Sequence, residues 1–129
     1  MNIYQAPPEE KLSRIFRAIG TPARLQILTA IGNTEACVCH LEAVLDLRQA
    51  YISQQLMELR EAGLLKTRRE GRYIYYSLTE PRILESIQEI AHILGIPVET
   101  LVPSFNIGFQ NEDAIPQCCC PKCEESKQR

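Results

Sequence analysis

Long apolar runs are missing from this 129-residue chain, and none approaches the roughly 18 to 20 residues needed to cross a bilayer. The opening stretch MNIYQAPPEEKL has no apolar core behind a basic start, so no secretory signal is expected and the expected location is the cytoplasm, with no membrane partner. Strong net charge is missing too: the formal value of -2 gives no bulk sign of a nucleic-acid partner. No Ser-His-Asp pattern, phosphate loop or pair of acids in a pocket-forming context is present, which leaves an enzyme without support. Cysteine is absent from positions 1 to 36 and again from 40 to 117. No internal repeat is visible.

What is present is unevenly placed. All six cysteines fall in two clusters, Cys37 with Cys39 and then Cys118, Cys119, Cys120 and Cys123. In a reducing compartment, clustered thiols point to metal ligation or redox sensing more than to a disulfide framework. Charge is also segregated. Between Arg48 and Arg72 there are six basic residues and three acidic ones, so that segment carries +3 and the remainder -5. A locally basic face on an acidic protein still finds phosphates, because the Debye length is only about 8 Å at physiological salt.

Periodicity and punctuation predict the order of elements. Leu12, Ile15, Phe16 and Ile19 lie at helical spacing after Pro8, and Gly20 closes that first helix. Thr21 caps a second helix that starts at Pro22, carries Leu25, Leu28 and Ile31, and ends at Gly32. Ala36 to Cys39 is expected to be extended, and His40 to Leu45 to form a short third helix. A turn at Asp46 to Arg48 leads into a fourth helix over 49–62. Its buried stripe is Ile52, Leu56 and Leu59, and its opposite face carries Gln49, Gln54, Gln55 and Glu58. Two strands, 64–69 and 73–78, flank a Glu70-Gly71-Arg72 hairpin signal. Thr79 is expected to cap a last helix over 80–94, whose apolar residues wrap far enough to need a second packing partner, expected to be another subunit. The chain thus divides into a domain over 8–95 and a tail over 96–129 that ends in the cysteine cluster. The fold class is mainly α with a small β-hairpin, a winged helix-turn-helix.

Such a unit suits duplex DNA. A helix fits the major groove, where exposed glutamine amides can pair with adenine edges. The hairpin extends Arg68, Arg69 and Arg72, with Tyr73 beside them, towards phosphates or the minor groove. The plainer reading of each residue alone is a solvated charged or polar face.

The stretches KLSRIFRAIGTPARLQILTAI and ACVCHLEAVLDLRQAYISQQLMELREAGLLKTRREGRYIYYSL resemble the ArsR/SmtB family of metal-sensing winged-helix repressors, over roughly residues 11 to 95. The resemblance implies a homodimer joined through the first and last helices, with the two recognition helices in successive major grooves about 34 Å apart. It implies DNA contacts at Gln49, Tyr51, Ser53, Gln54 and Gln55, and a wing over 68–75. Arg48 stands where the family commonly has serine, which offers a phosphate contact and removes a capping hydroxyl.

Cys37-Val38-Cys39 resembles the family's cysteine pair at the start of the third helix. Two positions i and i+2 within a regular helix lie about 200° apart and cannot share an ion. In an extended segment they point the same way. A helix N-terminus nearby favours the thiolate that binds metal. The alternative is that buried cysteines serve as small hydrophobes. Glu42 stands where arsenic-sensing relatives often have a third cysteine, so the tail cysteines are expected to complete the site. Thiolate coordination selects soft ions. Arsenite or antimonite, As(III) or Sb(III), ranks first, Cd(II) or Pb(II) second and Zn(II) lower, with no organic cofactor. His40 is a capping-turn residue or a ligand, and His92 alone does not make a second site on the last helix. The expected function is a repressor released from its operator when such an ion binds. The rivals are a thiol-based redox or reactive-sulfur sensor of the same fold and a metal carrier without a DNA role.

Overall fold

A computed structural model describes residues 6–101 of the chain. Proline opens both of the first two helices, α1 (Pro8–Ile19) and α2 (Pro22–Ile31), where its missing N–H costs nothing. The hydroxyl of Thr21 caps α2 by accepting the Arg24 amide at 3.3 Å. Gly32, at φ +58, ends α2 in a conformation that glycine adopts without strain. The chain continues through β1 (Ala36–Cys37), α3 (Val38–Leu45) and α4 (Gln49–Glu61). Asp46 takes the left-handed conformation between α3 and α4, a role for which Asp and Asn are the usual non-glycine residues. Then follow β2 (Leu65–Glu70), β3 (Tyr73–Leu78), α5 (Arg82–Ile93) and the single turn α6 (Val98–Leu101).

Helix α2 lies at the centre, buried along its second half by Ile27, Leu28 and Ile31. Around it pack Leu41 of α3, Ile52, Leu56 and Leu59 of α4, Leu65 and Leu78 of the strands, and Leu84 and Ile87 of α5. Each such side chain contributes about 1.5–3 kcal/mol through burial. Helix α3 packs on α2, α4 and β1, so anything that moves its start bears directly on α4.

Three expectations are corrected. The sheet has three strands in the order β1-β3-β2, not two, because Ala36 and Cys37 pair antiparallel with Tyr76 and Tyr75. Val38 and Cys39 are helical, so only Ala36 and Cys37 of the expected extended stretch are strand. Thr79 does not cap α5: its hydroxyl donates to the Gly63 carbonyl at 2.7 Å, tying the end of β3 to the end of α4. The N-cap position of α5 is Pro81, which offers no side-chain cap, and Glu80 just before it accepts the Arg82 amide at 3.2 Å. The described part of the segment after residue 95 contains the helical turn α6. The hairpin is as expected in kind, with Glu70 opposite Tyr73, a two-residue turn, and Gly71 at φ +61. Among the described residues no helix is long and apolar enough to cross a membrane.

Candidate thiol site and DNA-reading face

Cys37 is the last strand residue and the N-cap of α3, with extended backbone at φ -89 and ψ 166. Cys39 lies in the first turn of that helix. The 200° separation of i and i+2 applies to two helical positions, and Cys37 is not one. Its side chain folds over the helix start, and the two sulfurs stand 2.9 Å apart. Cys37 is only 3% exposed, while Cys39 is half-buried. The Cys37 sulfur accepts the amide of His40 at 3.4 Å, as a Ser or Thr N-cap would. The pair can therefore offer two sulfurs to one soft ion. Among the described residues no group of three ligating side chains forms, and Glu42 is exposed on α3. Cys118, Cys119, Cys120 and Cys123 lie outside the described residues.

On α4 the exposed face carries Gln49, Tyr51, Ser53 and Gln54, with Arg48 at its start. Arg48 makes no side-chain cap, as expected where serine is missing. Gln55 departs from the expectation. It is 9% exposed and faces inwards, where its amide oxygen accepts Arg24 Nε at 2.9 Å. Arg24 also donates to the carbonyls of Arg17 and Ala18 at 3.3 and 3.2 Å. One guanidinium thus joins the end of α1, the start of α2 and the middle of α4. Arg24 was not anticipated from the sequence. The available signal was a cation with no acidic residue between positions 21 and 34, which must find its partner across the fold.

The wing arginines are less free than a bare hairpin suggests. Arg68 gives Glu35 two hydrogen bonds at 2.7 and 3.1 Å, reaches Glu70 at 3.0 Å, and lies 4.8 Å above the Tyr75 ring. Hydrogen bonds to Glu35 and then Glu70 push its pKa further above the ordinary arginine range. Arg72 sits 5.3 Å from the Tyr73 ring and donates to its hydroxyl at 3.2 Å. Arg69 is exposed.

A further surface is apolar. Leu12 and Phe16 of α1 are exposed, as are Ile90, Ile93, Leu94 and Ile96 at the other end of the domain's sequence, with Ile93 at 73%. Phe16, Ile19, Leu25, Ile87, Ile90 and Leu94 help to line a cavity of about 490 Å³ there.

Residues 21–67 match the model of a bacterial regulatory protein family, the arsR family. Over 91 residues the chain is 35% identical to a transcriptional repressor SmtB homolog of Synechocystis, spanning 70% of this chain and 67% of that one. It is 48% identical over 66 residues to the arsenic resistance transcriptional regulator ArsR1 of Pseudomonas putida, spanning 50% and 51% of the two chains. The fold is similar to the crystal structure of the transcriptional repressor BigR from Xylella fastidiosa, with a TM-score of 0.61 and 29% identity over 66% of this chain and 87% of that one.

Proposed function

Since the chain belongs to the ArsR/SmtB family of DNA-binding transcriptional repressors, which are not enzymes, we propose that it is a cytoplasmic repressor whose operator affinity falls when a soft metal or metalloid binds Cys37 and Cys39. The observation that carries this reading is the convergence of the two sulfurs to 2.9 Å at the start of α3, which packs on the recognition helix α4. Arsenite ranks first, with antimonite beside it, then cadmium or lead, then zinc. The similarity to an arsenic resistance regulator supports that order. Binding arsenite needs no redox partner: two As–S bonds form, two As–OH bonds break, and the two thiol protons leave as water. The remaining thiolates come from Cys118, Cys119, Cys120 or Cys123.

DNA is read by Gln49, Tyr51, Ser53 and Gln54 in the major groove, with Arg48, Arg69, Arg72 and Tyr73 at the backbone or the wing. The protein acts as a homodimer. The exposed apolar side chains of α1 and α5 supply a surface that a second copy would cover. Titration of the full chain with arsenite and with cadmium, followed by sulfur-to-metal absorption, tests the site. Cys37→Ser or Cys39→Ser is expected to abolish tight binding, and truncation at Gln117 to weaken it. Unchanged binding in both single variants would refute the assignment.

A second reading is favoured by the same sulfur separation. Two thiols this close can be oxidised to a disulfide by a peroxide, which is reduced to water and alcohol. Release of promoter DNA by peroxide without metal, reversed by dithiothreitol, would select it over ion binding.

A further inference from the structure

Cys37, Tyr75 and Arg68 form one row across the sheet. Cys37 is paired with Tyr75 across β1 and β3, and Tyr75 with Arg68 across β3 and β2. Residues directly opposite one another in antiparallel strands project from the same face. The contacts agree: Cys37 and Tyr75 bury each other with Cys39 and Tyr73 at the edge, and the Arg68 guanidinium covers the Tyr75 ring at 4.8 Å. Glu35, two residues before Cys37, closes the row by holding Arg68 through two hydrogen bonds. The thiols therefore reach the wing in two steps, by a path that bypasses α3 and α4.

Ligation bears on this row through Cys37, which packs against Tyr75. An ion shared by the two sulfurs fixes their separation by its own bond lengths and angles in place of the 2.9 Å found, and Cys37 is the ligand that packs on Tyr75. Cys39 is half-buried, while Cys37 lies against a Tyr75 ring that is only 1% exposed. In an interior packed to crystal density, a displacement of Cys37 moves the neighbour.

We propose that occupancy of the thiol pair is transmitted to DNA through the Cys37–Tyr75–Arg68 row. Displacement of the Tyr75 ring uncovers Arg68, loosens its grip on Glu35 and unpins the wing from β1. Tyr75 and Glu35 are then positioning residues that set how strongly inducer and operator oppose each other. The inference rests on the thiol-sensor reading and adds the route.

The test uses the full chain, arsenite as the probe, and a DNA duplex selected from a random pool by the arsenite-free protein. Operator affinity is measured with and without saturating arsenite, and arsenite affinity is followed separately by As–S absorption. Allosteric couplings commonly span about 5- to 150-fold, so a loss of the effect is readable. Tyr75→Leu and Glu35→Gln are expected to bind arsenite within about threefold of wild type, yet to lose at least about fivefold of the arsenite-induced drop in operator affinity. Tyr75→Phe, which keeps the ring, is expected to retain the drop. Glu35→Gln alters a side chain outside the core, so it carries the test should Tyr75→Leu fold poorly. Full coupling in Tyr75→Leu or in Glu35→Gln overturns the route while leaving the sensor intact. A wild type that binds no arsenite, or binds it without losing operator affinity, overturns the sensor reading and the route with it.

Discussion

Adjacent glutamines on the recognition helix are expected to fail in opposite ways. Gln54 is exposed, and Gln55 is turned inwards onto Arg24. Gln54→Ala removes nothing from the interior, so its unfolding free energy should stay within about 0.5 kcal/mol of wild type. If Gln54 reads a base edge, operator affinity falls by about 1–3 kcal/mol, from several-fold to more than a hundredfold. Gln55→Ala deletes the acceptor for Arg24 Nε at 2.9 Å. A hydrogen bond to a charged group contributes about 1.5–3 kcal/mol, and the lower end applies here because Arg24 is only half-buried and keeps the carbonyls of Arg17 and Ala18. Its loss should appear as a lower urea midpoint with an unchanged slope, measured by circular dichroism at one fixed protomer concentration. Operator affinity would fall less than in Gln54→Ala once folded protein is counted. If Gln55→Ala unfolds like wild type and loses DNA as fully as Gln54→Ala, the inward placement of Gln55 is wrong.

Three further outcomes are expected. Gly20→Ala places a Cβ 2.8 Å from the Phe16 carbonyl oxygen, a backbone atom, so it should destabilise the fold by about 1–3 kcal/mol in urea unfolding; a neutral effect would mean that the α1 end relaxes freely. The Glu80 carboxyl is held down to about 2 by its hydrogen bonds with Arg82, from an ordinary 4.5. Its contribution is therefore present above about 4.5 and lost as the pH falls from there towards about 2. Glu80→Gln should flatten that part of the stability profile, modestly, because both side chains are exposed to screening. Ile93→Glu places a charge on the most exposed apolar residue of α5; sedimentation should show a protomer of unchanged fold that binds operator far more weakly, and an unaltered assembly would remove this face from the dimer account.

Helix order, the central turn and the wing were legible because proline, glycine and apolar spacing agreed from Pro8 to Leu78. The third strand was legible only as an extended stretch over Ala36 to Cys39, not as a member of the sheet. Two residues, Ala36 and Cys37, are too few to show an alternation, and only their pairing with β3 defines them. Gln55 misled for a different reason. Positions 52, 55, 56 and 59 follow the i, i+3, i+4, i+7 spacing of one helical face, so its place on the helix was inward while its residue type suggested solvent. Its partner Arg24 lies 31 residues away and left no local trace. The thiol pair was half legible. Spacing alone forbids convergence within a helix, and the resolution is the N-cap, where one cysteine is extended and the other helical. Arg68 was legible as a wing cation, but Glu35, which holds it, lies 33 residues away across the sheet.

Operator affinity measured by fluorescence anisotropy, with and without saturating arsenite, tests the central claim most directly when wild type is set beside the Cys37→Ser/Cys39→Ser double variant. Wild type should lose at least about tenfold in affinity, equivalent to about 1.4 kcal/mol, and the double variant should lose none. A wild type indifferent to both arsenite and cadmium, or a double variant that responds as wild type does, would contradict it.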